Sequence, residues 1–253
     1  VAKVLIAPRV EVLDLTMDLF GAPSSVHPTL LWDEKEAVLV DAGFPGQFEQ
    51  LREETKRAGI SLDRLTRLII THQDVDHIGG AAALLAANNR IEVLAHELDR
   101  PYIAGEKRLL KASPERLERF AERMSSFPEE RRKAVLDAFL TTKARVDRSL
   151  TDGERLPWCG GIVVVHTPGH TPGHICLYLE RSRTLVAGDA LNVVEGRLVG
   201  PNPQSAENLN QAIRSLARLA PYEIETVVCY HGGAYADNVS ARIAELAEPA
   251  PGA

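Results

Sequence analysis

Thr71-His72-Gln73-Asp74-Val75-Asp76-His77-Ile78-Gly79-Gly80 is the stretch that decides how this chain is read. Two histidines and two aspartates fall within six residues, His72 to His77. Leu68-Ile69-Ile70 ahead of them is the right length for a buried strand, and Ala81-Ala82-Ala83-Leu84-Leu85 behind them reads as a helix. A strand end followed by a tight loop can turn several such side chains toward one point. Neutral imidazole and carboxylate are ligand chemistry for borderline or hard divalent ions. One loop of this kind is as readily a solvated polar turn before a helix N-cap, so the rest of the chain carries the decision.

Upstream, Val10–Leu15, Thr29–Trp32 and Ala37–Val40 are apolar-rich and bounded by Pro or Gly, and read as strands. The third ends in Asp41-Ala42-Gly43, a carboxylate at the carboxyl end of a central strand, which is also ordinary turn chemistry. Residues 47–58 read as an amphipathic surface helix and 91–95 as a further strand. From about 105 to 145 the strands stop and charge density rises. Ser113-Pro114 predicts an N-cap and first helical residue, and Leu117, Phe120, Ala121 and Met124 follow at helical spacing. Pro128 opens a second helix with Val135, Leu136 and Phe139 on its apolar side. This stretch is too small for a core of its own and reads as an insertion in one domain spanning 1–253. Its expected role is a substrate wall, or else a homodimer contact.

After residue 150 strands return at 161–165, 175–179, 184–187 and 226–230, with a helix from about 205 to 219. Four strand ends now carry residues of metal-binding type. The others are His166-Thr-Pro-Gly-His170-Thr-Pro-Gly-His174, Gly188-Asp189-Ala190 and His231-Gly232-Gly233. The layered α/β order and this constellation together resemble the metallo-β-lactamase superfamily of hydrolases. The match runs from about residue 10 to 247 and is carried by His72-x-Asp74-x-Asp76-His77, His170, Asp189 and His231.

That resemblance implies a four-layer αβ/βα sandwich and two divalent ions, zinc first, with iron or manganese as alternatives. His72, Asp74 and His170 would hold one ion and Asp76, His77 and His231 the other. Asp189 would bridge them, and Asp41 would orient the ligand histidines. The family's usual residue at 74 is His; aspartate there is shorter and makes the first half richer in oxygen. Asp76 would orient a hydroxide bridging the ions and pass a proton to the leaving group. The implied reaction is hydrolysis of a small ester, thioester or lactone. Phosphodiester or β-lactam amide cleavage is the alternative, and a metal-binding scaffold without turnover is the rival of another class. His174 is not a ligand in the family pattern and would stand behind the ligands, at the pocket wall; Asn192, Tyr102 and Glu106 are pocket candidates.

Composition sets the outer limits. With 253 residues, 45% hydrophobic and 25% charged, the chain is of ordinary globular make-up. A net charge of −6 gives no reason to expect nucleic acid or an anionic membrane as partner. No apolar run approaches the roughly 20 residues of a membrane span. Residues 1–6 are strand-like and lack a signal-peptide pattern. Cys159, Cys176 and Cys229 are far apart and odd in number, which points to a reduced, cytoplasmic setting.

Overall fold

The computed structural model describes residues 9–19 and 22–248, so the strand-like run 1–6 and the tail 249–253 lie outside the described residues. Two six-stranded sheets form the body. The first runs Val10–Val12, Thr29–Trp32, Ala37–Val40, Arg67–Ile70, Glu92–His96, Arg148–Leu150 in space as in sequence. Its first three strands pair antiparallel and the rest parallel. The second runs Gly233–Tyr235, Thr226–Cys229, Thr184–Val186, Ile175–Leu179, Ile162–His166, Arg155–Leu156. Only Thr184–Val186 and Thr226–Cys229 pair parallel there.

The period of two along each strand explains the layers. Val38, Val40 and Ile69 of the first sheet meet Val164, Leu177 and Val186 of the second in one apolar slab. Their neighbours Leu39, Leu68 and Ile70 face outward and pack under Leu51, Leu84 and Ile103 of the flanking helices. Val163, Val165 and Leu185 do the same under Leu216, Leu219 and Ile243. Strands buried on both faces need continuous apolar runs, which is what 37–40, 68–70 and 162–165 supply. The arrangement is the expected αβ/βα sandwich.

Some element limits differ from the sequence reading. The strand expected at 10–15 breaks after Val12, and a separate hairpin, Leu15–Leu19 with Ala22–Val26, follows it. The helix expected from 205 starts at Leu209, because Asn208 takes the N-cap and accepts from Gln211 N; residues 216–219 tighten to 3₁₀. The insertion holds helices Pro114–Arg123 and Glu129–Thr141, the first capped by Ser113 as expected. A second hairpin, Asn192–Val194 with Arg197–Val199, turns on Glu195 and Gly196, both at positive φ (50° and 74°). That is the two-residue turn whose twist suits a hairpin. Among the described residues no helix is long and apolar enough to cross a membrane. The three cysteines are free; burial pushes Cys159 and Cys176 up to about 12, and Cys229 is also raised.

Candidate metal centre

The strands Ala37–Val40, Arg67–Ile70, Ile162–His166, Thr184–Val186 and Thr226–Cys229 all end at one edge of the sandwich. The segments that follow them place Asp41, His72 to His77, His170, Asp189 and His231 there. Asp74 takes the N-cap position of the one-turn helix Val75–Ile78, but its side chain makes no capping bond and turns into the centre instead. That turn is pressed against the end of Ala37–Val40. A Cβ on Gly80 would lie 2.1 Å from the Ala42 carbonyl oxygen, so glycine permits the contact.

Two groups of ligand-type atoms result. In the first, Asp74 Oδ2 lies 2.8 Å from His170 Nε2 and 3.1 Å from His72 Nε2, and His170 Nε2 is 3.3 Å from Asp189 Oδ2. In the second, Asp189 Oδ1 lies 3.2 Å from His77 Nε2 and 3.5 Å from His231 Nε2. Asp76 Oδ2 stands 3.3 Å from His231 Nε2 and 3.8 Å from His77 Nε2. Asp189 therefore turns one oxygen to each half.

Bonds of about 2.1 Å at tetrahedral angles would separate ligand atoms by about 3.4 Å. The second half has that spacing. His72 Nε2, His77 Nε2 and Asp189 Oδ1 are buried without a hydrogen-bond partner, an expense that a bound cation would remove. The electrostatics agree. Burial opposes charge on Asp189, yet His231, His170 and His77 hold its carboxyl well below the usual range. Burial also opposes charge on His77, but Asp41, Asp76 and Asp189 raise it well above an ordinary imidazole; His231, with Asp189 and Asp76 beside it, is pushed up to about 10. Asp76 and Asp189 thus draw positive charge toward the centre. These residues fit a divalent ion.

The surrounding bonds fix the tautomers. Asp41 accepts from Thr71 N and Thr71 Oγ1, each at 2.8 Å, and its Oδ2 lies 2.8 Å from His77 Nδ1, leaving Nε2 toward the centre. Asp41 adopts a left-handed φ of 62°, costly for a non-glycine residue and retained where a side chain must be aimed. His174 is fully buried, and burial together with His72 keeps it neutral. Its Nε2 accepts from Asp189 N at 3.0 Å, and Nδ1 meets Thr167 Oγ1 at 2.9 Å. It positions the Asp189 loop from behind. Gly188 makes this possible: a Cβ there would lie 2.7 Å from His174 Nε2, at a φ of 50°. Gly188→Ala is expected to weaken metal binding about 10- to 100-fold, the scale for losing support behind a ligand; competition with a chromophoric chelator measures it.

Sequence reasoning missed three residues. Lys111, in the insertion, brings Nζ against Asp74 Oδ2 and to 3.1 Å from His170 Nε2. Burial opposes charge on Asp74, but Lys111 and His72 hold its carboxyl well below the usual range. Asp99, fully buried, accepts from Gln73 N (3.0 Å), Gln73 Nε2 (3.2 Å), Thr171 Oγ1 (2.7 Å) and Gly173 N (2.8 Å). Tyr230 stacks on His77, with ring centroids 3.8 Å apart, and donates to the Asp76 carbonyl at 2.5 Å.

Two cavities meet at the centre, and Asp74, Asp76 and Lys111 line both. One, of about 790 Å³, is the more polar of the two and includes Ser24, Ser25, Asn192, Asn202 and His231 beside Pro23, Val193 and Val199. The other, of about 590 Å³, is walled by Met17, Phe44, Phe120, Met124, Val135 and Phe139. The insertion thus forms a wall of the site. Asn192 sits in the polar groove and donates to the Gly200 carbonyl at 3.1 Å. Tyr102 and Glu106 are not among the described residues that line either cavity. Tyr102 packs against the outer core under Lys107, and Glu106 is an exposed partner of Arg100, 3.9 Å away. Ile103, the buried residue of the short helix Arg100–Ile103, belongs to that same outer core, and Tyr102 packs with it.

A family model described as the metallo-beta-lactamase superfamily matches residues 21–231. The chain is 30% identical over 207 residues to the probable metallo-hydrolase YflN of Bacillus subtilis (strain 168), covering 77% of this chain and 75% of that one. It is 32% identical over 167 residues to the hydroxyacylglutathione hydrolase GloC of Haemophilus influenzae, covering 64% and 65%. Among solved structures, a metallo-beta-lactamase family protein from Thermus thermophilus superposes with a TM-score of 0.69 at 26% identity, covering 95% of this chain and 79% of that one.

Proposed function

The chain belongs to the metallo-β-lactamase superfamily and is a metal-dependent hydrolase, and from that premise we propose that it cleaves a small-molecule ester, thioester or lactone with one apolar and one polar end. The observation that carries this reading is the position of the centre where the polar groove meets the apolar chamber. A scissile carbonyl at that junction would leave its acyl or alkyl part among Phe120, Met124 and Phe139. The similarity to a hydroxyacylglutathione hydrolase supports the thioester member of the group.

Zinc is the proposed ion for Asp76, His77, His231 and Asp189, a set of two imidazoles and two carboxylates. When bound it would supply an acidified water and polarise the carbonyl under attack. The chain's own residues do the rest. Asp76 stands where both cavities open and is placed to accept a proton from the attacking water and deliver it to the leaving group. Asp41 and His174 keep the ligands aimed. The apolar chamber excludes water from the acyl side.

Turnover of acyl esters and acyl thioesters of increasing chain length, with zinc-reconstituted protein, tests this. The specificity constant is expected to rise up to about 3- to 4-fold per added methylene until the chamber is full, from about 0.8 kcal/mol per buried CH₂. Phe139→Asp should flatten that rise while leaving short acetyl substrates nearly unchanged. Turnover confined to phosphodiesters, or indifferent to chain length, would overturn the reading.

A further inference from the structure

We propose that Lys111 acts as a resident cation in the first half of the centre, so that the chain takes up one divalent ion, at Asp76, His77, His231 and Asp189, rather than two. The inference rests on the hydrolase reading and refines it. The Lys111 ammonium bonds Asp74 Oδ2 and lies 3.1 Å from His170 Nε2, two of the atoms a first ion would need. It is 20% exposed and held in place. Leu109 and Ala112 on either side are buried, and Leu110 N donates to Gln73 Oε1 at 2.8 Å. The loop that carries Asp74 therefore also anchors the lysine.

Three features agree with this placement. The carboxylate at 74 gains a reason, because an ammonium needs an oxygen acceptor where an ion would accept a third imidazole. Charge agrees in direction too: the lysine brings a positive charge to Asp74, the carboxylate of the first half. The two halves also differ. Among the described residues only histidines pair with Asp76 and Asp189, while Asp74 has a lysine. His72 Nε2 is left without a hydrogen-bond partner in the first half. With the ammonium on Asp74 and beside His170, only His72 Nε2 and Asp189 Oδ2 are left to the first half, and two ligand atoms next to a held positive charge bind a divalent ion weakly. Lys111 lines both cavities, so the ammonium is also placed to face charge developing on the scissile carbonyl oxygen.

Zinc stoichiometry decides the matter. Apoprotein is loaded with excess zinc, desalted and analysed by plasma mass spectrometry, and the second ion is titrated against a chromophoric chelator. The wild type is expected to hold one equivalent. Lys111→Met should hold two, with the second bound at least about 100-fold tighter than in the wild type, since a like charge beside the ion is removed. Lys111→Arg should remain at one. Lys111→Gln carries the same expectation as the methionine variant should that one not fold. Two equivalents in the wild type together with ester turnover would overturn this inference and leave the hydrolase reading standing. One equivalent in folded Lys111→Met or Lys111→Gln would also overturn it. No zinc uptake and no turnover would overturn both.

Discussion

Asp189→Ala is expected to lose metal and turnover together, with the specificity constant falling about 1000-fold or more, beyond the 10- to 100-fold that follows when only the support of a ligand is removed. The reason is geometric. Asp189 Oδ1 faces His77 and His231, Oδ2 faces His170, and no other carboxylate among the described residues reaches both halves. Its removal would also take away the one carboxylate that His77, His170 and His231 share. Asp189→Asn keeps an oxygen at the same reach and should lie between, retaining some metal at reduced affinity. Metal analysis and steady-state kinetics on the same preparations make the check. Full metal content with unchanged turnover in the alanine variant would remove Asp189 from the chemistry.

The second large effect is on stability. Asp99→Ala should cost about 4 kcal/mol, which for a chain of this size lowers the melting temperature by roughly 10 °C. Hydrogen bonds to a charged group contribute about 1.5–3 kcal/mol each, and Asp99 accepts four, so a cost well below their sum already places the variant among the exceptional losses. Alanine would leave Gln73 N, Gly173 N and the Thr171 hydroxyl buried without an acceptor. Asp99→Asn keeps one acceptor oxygen and should recover about half. Urea unfolding followed by circular dichroism measures both. A cost below about 1 kcal/mol would mean that these donors find other acceptors and that Asp99 does not hold the loops together.

The contrast between Asp99 and Asp189 shows what the sequence could and could not disclose. Asp189, His170 and His231 follow continuous apolar runs, and histidine or aspartate beside glycine at a strand end is an unusual enough combination to be noticed. The strands themselves were legible because both faces are buried and the runs are uninterrupted. Asp99 and Lys111 offer no such signal. An aspartate before Arg-Pro and a lysine between Leu110 and Ala112 are ordinary surface types. Their roles come from partners 26 to 74 residues away, which only the folded chain brings near. The hairpin of Leu15–Leu19 and Ala22–Val26 stayed hidden because Pro23, Ser24 and Ser25 have low strand preference and serve to line the groove. The Asn192 hairpin had a readable mark, Glu195-Gly196 with Val193-Val194 before it and Leu198-Val199 after it, that the strand-end residues overshadowed.

Gln73 gives the insertion an unexpected dependence. Its side chain donates to Asp99 and accepts from Leu110, so the helical wall hangs from the same loop that presents His72 and Asp74. The segment 105–145 is therefore not an exchangeable cassette. Grafted onto a relative without Gln73 and Asp99, it would arrive with its greasy lining but without its mooring. A change in what the chamber admits would therefore be felt at the loop that carries His72 and Asp74, and the reverse.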